Sequence, residues 1–390
     1  MTAIIPARAA WPALPAAVVA FATAVVVATE FIVVGLLPAM SRGLGITLTE
    51  AGHFVSAFAL GSAVFGPLLI IPAARWEPRI VMAVALIPFA LGNLAAAVMP
   101  GYGVVLAMRI LQGAALPVLV SVGSAAVADL AGPGREARAV AVVYIGVVAG
   151  TVVAMPAGTV LADTIDWRIS FLLLGGMALV AAWSLMVAFP RKDAWRSTAV
   201  RDQVSILSRP ILWAQLLLSA VLFAAMFAPY TYLAALLENV GGLDATGIAV
   251  MLAWFGLAGI PGNMVAGRLS ERGPIQATFG VALVLAVVMP ASAFAGNGLM
   301  ALLPLLAIWG AAHAAAFLLS QIRVMHSAPT APAFAAALNI SAANIGIAAG
   351  AAVGGAIVER ASIAASSIGG MALALAALML ATALHRIGER

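Results

Sequence analysis

Residues 15–40 read PAAVVAFATAVVVATEFIVVGLLPAM, and Glu30 is the only charged side chain among them. A helix of this length crosses the ~30 Å of hydrocarbon in a bilayer. Further spans of the same kind lie between polar punctuation, and the chain predicts twelve: Trp11–Met40, Ala51–Ile71, Arg79–Val98, Gly103–Ala128, Ala137–Leu161, Ile169–Phe189, Ile211–Leu236, Gly247–Leu269, Ile275–Ala295, Leu299–Ser320, Pro332–Val358 and Ile363–Leu384. Composition agrees, with 64% hydrophobic and 8% charged residues over 390 positions. A soluble surface of this size must carry more charge than that. The first span is too long for a removable signal peptide, lacks a small-residue cleavage site and contains an acid.

The net charge of +5 does not point to nucleic acid, because the basic residues sit in short loops. With an even number of spans both termini share a side. That side holds Arg8, Arg75, Arg79, Arg135, Arg138, Arg191, Lys192, Arg196, Arg201, Arg209, Arg268, Arg272, Arg323, Arg386 and Arg390, against Arg42, Arg168 and Arg360 opposite. The positive-inside rule then places both termini in the cytoplasm.

The chain has no cysteine, and His53, His313, His326 and His385 are too dispersed for metal-ligand spacing. No phosphate-cradling G-x-x-x-x-G-K-[ST] loop occurs. No cofactor, metal or enzymatic chemistry is expected, and uphill transport would draw on an ion gradient or a partner protein.

One long polar stretch, Pro190–Pro210, carries five basic and two acidic residues. It predicts a cytoplasmic linker (191–209) between two six-span halves, 1–190 and 210–390. The halves echo each other. A shift of 197 places Gln112-Gly113-Ala114-Ala115 on Trp309-Gly310-Ala311-Ala312, Arg75 on Arg272 and Gly158 on Gly355. A shift of 200 places Gly146 and Gly150 on Gly346 and Gly350. The shared offsets, linking each span to the sixth beyond it, point to a parallel duplication.

These features resemble the major facilitator superfamily, an all-α membrane fold of two pseudo-symmetric six-helix bundles. The stretches from Thr29-Glu30-Phe31 to Leu37-Pro38 and from Leu338-Asn339 through Asn344 and Gly346 to Gly354-Gly355 resemble the first and eleventh helices of its bacterial drug:proton antiporters and sugar or purine efflux permeases. Arg109-Ile110-Leu111-Gln112-Gly113 matches the family motif R-x-x-Q-G, whose arginine the resemblance associates with proton coupling. Two departures stand out. Ala74 occupies the place of the family's gating acid before Arg75, whereas the loop after span 8 keeps Gly262, Gly267, Arg268, Glu271 and Arg272, so the cytoplasmic gate is expected to lean on this second copy. The Gly-Pro pair of the antiporter signature is replaced in span 5 by Gly146, Gly150, Pro156 and Gly158.

A lone carboxylate in hydrocarbon costs several kcal/mol unless it is protonated, paired or wet, and so reads as a functional site. Counted from the outer boundary, Glu30 and Arg109 differ in depth by about one turn at ~1.5 Å per residue, so their side chains could meet. Opening and closing such a pair would move a proton on and off; the bland reading is a permanent lock between spans 1 and 4. Cavity-lining candidates come from helical stripes: Thr23 with Glu30; Phe223, Phe227 and Tyr230; and Trp309, His313, Phe317 and Gln321. Gln112, His53, Trp254, Asn339 and Asn344 are further substrate-binding candidates, with Asn339 and Asn344 about 140° apart around their helix. Aromatics with a few polar members suit an apolar or amphipathic solute, although helix packing explains the same stripes. The glycines of spans 5 and 11 at four-residue spacing are expected to form a tight seam between the halves that rocks as access alternates, with static packing as the alternative.

The residues together with this resemblance favour a proton-coupled exporter of a small organic solute or drug, with protons, that solute and the lipid of a bacterial inner membrane as the expected partners and the protein a monomer. A proton-coupled importer or facilitator of a sugar or nucleoside remains open, as does a sensor or assembly subunit without a transport cycle.

Overall fold

The computed structural model describes residues 12–73, 75–99, 101–132, 135–191, 205–295 and 299–388. Ala74 and most of the linker, 192–204, lie outside them. Among the described residues, twelve helical stretches are long and apolar enough to cross a membrane. The first half contains α1 (Ala13–Leu44), α2 (Leu48–Ala73), α3 (Pro78–Val98), α4 (Tyr102–Ala131), α5 (Glu136–Thr164) and α6 (Trp167–Ala188). The second contains α7 (Pro210–Tyr230), α8 (Leu233–Asn239), α9 (Ala245–Arg272), α10 (Pro274–Ala293), α11 (Leu299–Ser327), α12 (Pro332–Arg360) and α13 (Ala365–Gly388). The seventh predicted span is one crossing in two pieces, α7 and α8, with Pro229 in the last turn of α7 where the helix breaks.

Local chemistry sets the helix ends. Prolines open α3, α7, α10 and α12, where a missing N–H leaves no bond unmade. Asp166 and Asp244 cap α6 and α9 by accepting from the Arg168 and Gly247 main-chain N–H groups, each at 2.8 Å. Gly45 ends α1 in the left-handed conformation (φ 64°) that glycine adopts without steric cost. Large apolar side chains such as Trp183, Val187, Val287 and Met379 are exposed on the outside of the bundle, as lipid-facing positions require.

The two sequence offsets reappear as two kinds of helix contact. Gly146 and Gly150 of α5 lie against the α1 main chain at Ala20 and Ala24; Gly346 and Gly350 of α12 lie against α7 at Ala220 and Ala224. A methyl at any of these glycines would meet a carbonyl oxygen of the facing helix. The shift of 200 therefore relates α1·α5 to α7·α12. The shift of 197 relates α2·α4 to α9·α11, where Gly113 faces the Phe58 carbonyl and Gly310 that of Phe255. Here the structure corrects the role expected of these glycines, though not the place of their helices. These glycine faces bind each helix to a partner in its own half, because only small residues let two backbones approach this closely.

The halves meet through α2 with α12, α5 with α9, and α1 with α8, so α5 and α12 do lie at the seam, by faces other than Gly146, Gly150, Gly346 and Gly350. At the end of the bundle away from the termini they share one apolar core, in which Leu36, Leu37 and Phe54 pack with Leu233, Leu236 and Ile347. Toward the termini the cores separate, one around Val19, Met82 and Leu119 and another around Leu212, Val324 and Ala335. Hydrogen bonds between the halves follow the same division. Arg42 pairs with Glu238 at 2.7 Å, the Thr49 hydroxyl donates to the Gly355 carbonyl at 3.0 Å, and Ser56 donates to Ala348 at 3.1 Å.

Arg323 departs from its expected place among the loop charges. It is 2% exposed inside α11 and donates to the Gln215 carbonyl and side-chain oxygen and, at 2.8 Å, to the Ser219 hydroxyl on α7. A guanidinium in such a site binds helix to helix and contributes nothing to the surface charge bias.

Candidate functional site

The acid that singled out the first span sits just past the middle of α1, half-buried, where the two halves face each other. It lies within electrostatic reach of Arg109 on α4 and of Tyr230 on α7. Among the described residues no hydrogen-bond donor or ion-pair partner reaches its carboxylate. The expected side-chain contact with Arg109 takes another form. Arg109 donates from Nη1 to the Thr29 carbonyl at 2.7 Å, from Nη2 to the Glu30 carbonyl at 2.9 Å and from Nε to the Phe54 carbonyl at 3.2 Å. Its guanidinium also lies over the Phe58 ring, 4.3 Å from the centroid. Arg109 is thus committed to the main chains of α1 and α2, and the carboxylate is left free to face the interface.

Around this fork runs a fully buried polar chain. The Gln112 amide donates to Asn93 Oδ1 at 3.0 Å, Asn93 donates to the Thr29 hydroxyl at 3.0 Å, and that hydroxyl donates back to the Val25 carbonyl at 2.9 Å. A buried network of this kind holds its members in one arrangement only if each finds its partners. Gln112, a candidate substrate ligand from its sequence, is thus buried and held by Asn93 and by Arg109 Nη1 at 3.5 Å. Thr23 shares the stripe of Glu30 but is fully buried, with its hydroxyl unbonded.

Facing Glu30 from the second half is a cluster that joins both predicted aromatic stripes. Phe223, Phe227 and Tyr230 from α7 and His313 and Phe317 from α11 meet ring to ring, edge-on or tilted, and Tyr230 lies 4.5 Å from His313 centroid to centroid. Trp309 joins through Phe255, a residue of α9 that the stripes did not include. Apolar rings at 4.5–7 Å contribute about 0.5–1.5 kcal/mol per pair beyond burial, so the cluster is a stiff wall. The wall is not chemically closed. Among the described residues His313 Nδ1 and Trp309 Nε1 are buried with no hydrogen-bond partner, and the Tyr230 hydroxyl reaches across the interface to Met155 Sδ at 3.4 Å. Buried polar atoms without partners are uncommon and mark where a ligand atom could bind.

Other candidates are placed elsewhere. His53 pairs with the Tyr102 hydroxyl at 2.8 Å within the first half. Trp254 is exposed on α9 and donates to the Leu303 carbonyl at 2.9 Å; among the described residues it makes no ring contact with the cluster. Asn339 donates to Gln321 at 2.9 Å, drawing both into a polar group near Arg323. Asn344 turns to its own helix at the Ile340 carbonyl, 2.9 Å away. Of the gating candidates, Pro156 is half-buried within α5 and Gly158 packs on the Ile32 side chain, while Arg75, Arg268, Glu271 and Arg272 are exposed at the terminal end. Among the described residues, Arg268, Glu271 and Arg272 form no ion pair, so the basic-acidic-basic run is not latched here.

Several members of the site carried a signal that stripes alone do not use. Asn93 is a lone amide in an apolar span, the same mark that singled out Glu30. Arg42 and Glu238, 196 positions apart, carried none.

The sequence model of the Major Facilitator Superfamily matches residues 19–351. The inner membrane transport protein YdhP of Escherichia coli O157:H7 is 32% identical over 316 residues, which is 81% of each chain. A chloramphenicol resistance protein of Streptomyces lividans is 33% identical over 342 residues, 85% of this chain and 86% of that one. Among solved structures, a bacterial homolog of the human lysosomal transporter Spinster superposes with a TM-score of 0.77 over 96% of both chains at 14% identity.

Proposed function

The chain belongs to the Major Facilitator Superfamily of membrane transporters, and from that premise we propose that it exports a small organic solute in exchange for protons by alternating access. One observation carries the reading: Glu30 is a half-buried acid with no bonded partner among the described residues, between the Arg109 fork and the aromatic wall of the second half. A carboxyl withdrawn from water takes up a proton more readily than one in solution, and a nearby guanidinium opposes this. Its charge state therefore follows how far the halves open around it. Solute would lie against Phe227, Tyr230 and Phe317, with His313 Nδ1 and Trp309 Nε1 offering hydrogen bonds. The resistance protein of Streptomyces lividans supports export of such a solute.

With both termini cytoplasmic, as the bias of basic residues suggests, the shared core and the Arg42–Glu238 pair close the periplasmic end, and the parted cores open the site to the cytoplasm of an inner-membrane protein. The orientation has a direct check. A cysteine introduced at Ser197 in this cysteine-free chain should be shielded from an impermeant thiol reagent in intact cells; labelling from outside would reverse the topology.

Exchange is tested in everted membrane vesicles with an acid interior, offered lipophilic cations, neutral antibiotics, sugars and nucleosides in turn. A transported solute should discharge the pH gradient only in vesicles that hold the protein. Uptake of a solute with no proton release would instead identify a facilitator.

A further inference from the structure

We propose that a groove on the second half, remote from Glu30, binds one anionic phospholipid of the leaflet on the side of the termini. The groove has a volume of about 650 Å3 and lies between α9, α10 and α11. Val265, Leu269, Val284 and Ile308 line it with apolar surface, and Gly280 and Ala311 keep it open. The packing of α10 is against α11 and α13 of its own half, so the groove faces outward from the bundle, away from the interface between the halves.

Its depth fits one leaflet. The α9 lining runs from Pro261 at mid-helix to Arg272 in the last turn. The eleven rises from Pro261 to Arg272, at ~1.5 Å each, cover about 17 Å, close to the ~15 Å of half a hydrocarbon core. The charged member is at the end where a headgroup belongs. Arg272 and Gln276 lie at the terminal ends of α9 and α10, at the level of the interface, and the rest of the lining is apolar or glycine. Arg272 is exposed and, among the described residues, has no acidic partner, so its guanidinium can take phosphate oxygens while an acyl chain fills the groove. Basic pockets between transmembrane helices recognise anionic headgroups by this combination. Occupancy would splint α9 and α11 beside the close contact of Gly262 with Ala311 and so stiffen the wall that carries Phe255 and Trp309.

Native mass spectrometry of the purified protein with phosphatidylglycerol or phosphatidylcholine of matched chains tests this. Wild type should retain one phosphatidylglycerol in preference to phosphatidylcholine. Arg272→Gln should bind it about fivefold more weakly, the ratio that roughly 1 kcal/mol per basic residue gives, with Arg272→Lys in between. A Cβ at Gly280 meets no other atom within 4 Å, so Gly280→Phe can fill the groove without disturbing the fold. It should lose both lipids while keeping the wild-type melting temperature in detergent. Equal retention by wild type, Arg272→Gln and Gly280→Phe, or no preference for the anionic headgroup in wild type, would overturn the proposal. None of these readouts depends on transport, so the lipid site and the proton exchange stand or fall separately.

Discussion

Replacing Arg109 by alanine should abolish pH-driven transport and lower the thermal stability of the purified protein, by about 3 kcal/mol. Three hydrogen bonds from a charged donor, each contributing roughly 1.5–3 kcal/mol, are lost, while relief of the buried charge returns part of that sum. The feature that matters is the planar fork, which spans the Thr29, Glu30 and Phe54 carbonyls at once. Lysine keeps the charge but offers one nitrogen on a flexible stem, and cannot serve two helices in this geometry. Arg109→Lys is therefore expected to melt close to Arg109→Ala and far below wild type. Recovery of wild-type stability by lysine would show that the charge alone suffices and that the carbonyl fork is incidental.

That fork also shows where reading the sequence stops. A charged residue in an apolar span announces itself, so Glu30 and Arg109 were both legible, and depth along the helices brought them to within about one turn of each other. Their actual connection runs through main-chain carbonyls, which every residue carries and no sequence distinguishes. The same limit explains the glycines of α5 and α12. Four-residue spacing shows that one face is small; which neighbour fills it depends on tertiary packing, and the neighbour is α1 or α7 within the same half. Periodicity likewise recovered the aromatic stripes of α7 and α11 but missed Phe255, whose own helix shows no aromatic repeat.

Offsets between the halves carried more than their individual matches suggested. A single Gly-to-Gly coincidence means little in a chain with 37 glycines, yet 200 and 197 each relate a pair of helices in contact. Charge sidedness was coarser. Arg323 counted as a loop residue because it stands near a helix end, whereas Gln215 and Ser219 draw it inward. The bias of basic residues survives without it. The Arg42–Glu238 latch could not have been read at all, since each residue alone is an ordinary charge beside a loop.

In the proposed exchange, Glu30 is the group that would take up and release the proton. Glutamine there has nearly the same shape, cannot ionise, and mimics the protonated acid permanently. The Arg109 bonds to the Thr29 and Glu30 carbonyls use main chain, so the substitution leaves the fork intact and the protein folded. With no proton to release, a transporter whose solute movement is tied to protonation can still exchange solute for solute but cannot concentrate it. The decisive measurement is solute accumulation by Glu30→Gln in proteoliposomes under an imposed pH gradient, beside counterflow at equal pH. Counterflow near the wild-type rate with no pH-driven accumulation is the expected result. Full accumulation by Glu30→Gln would contradict it and move the proton site to His53 or His313.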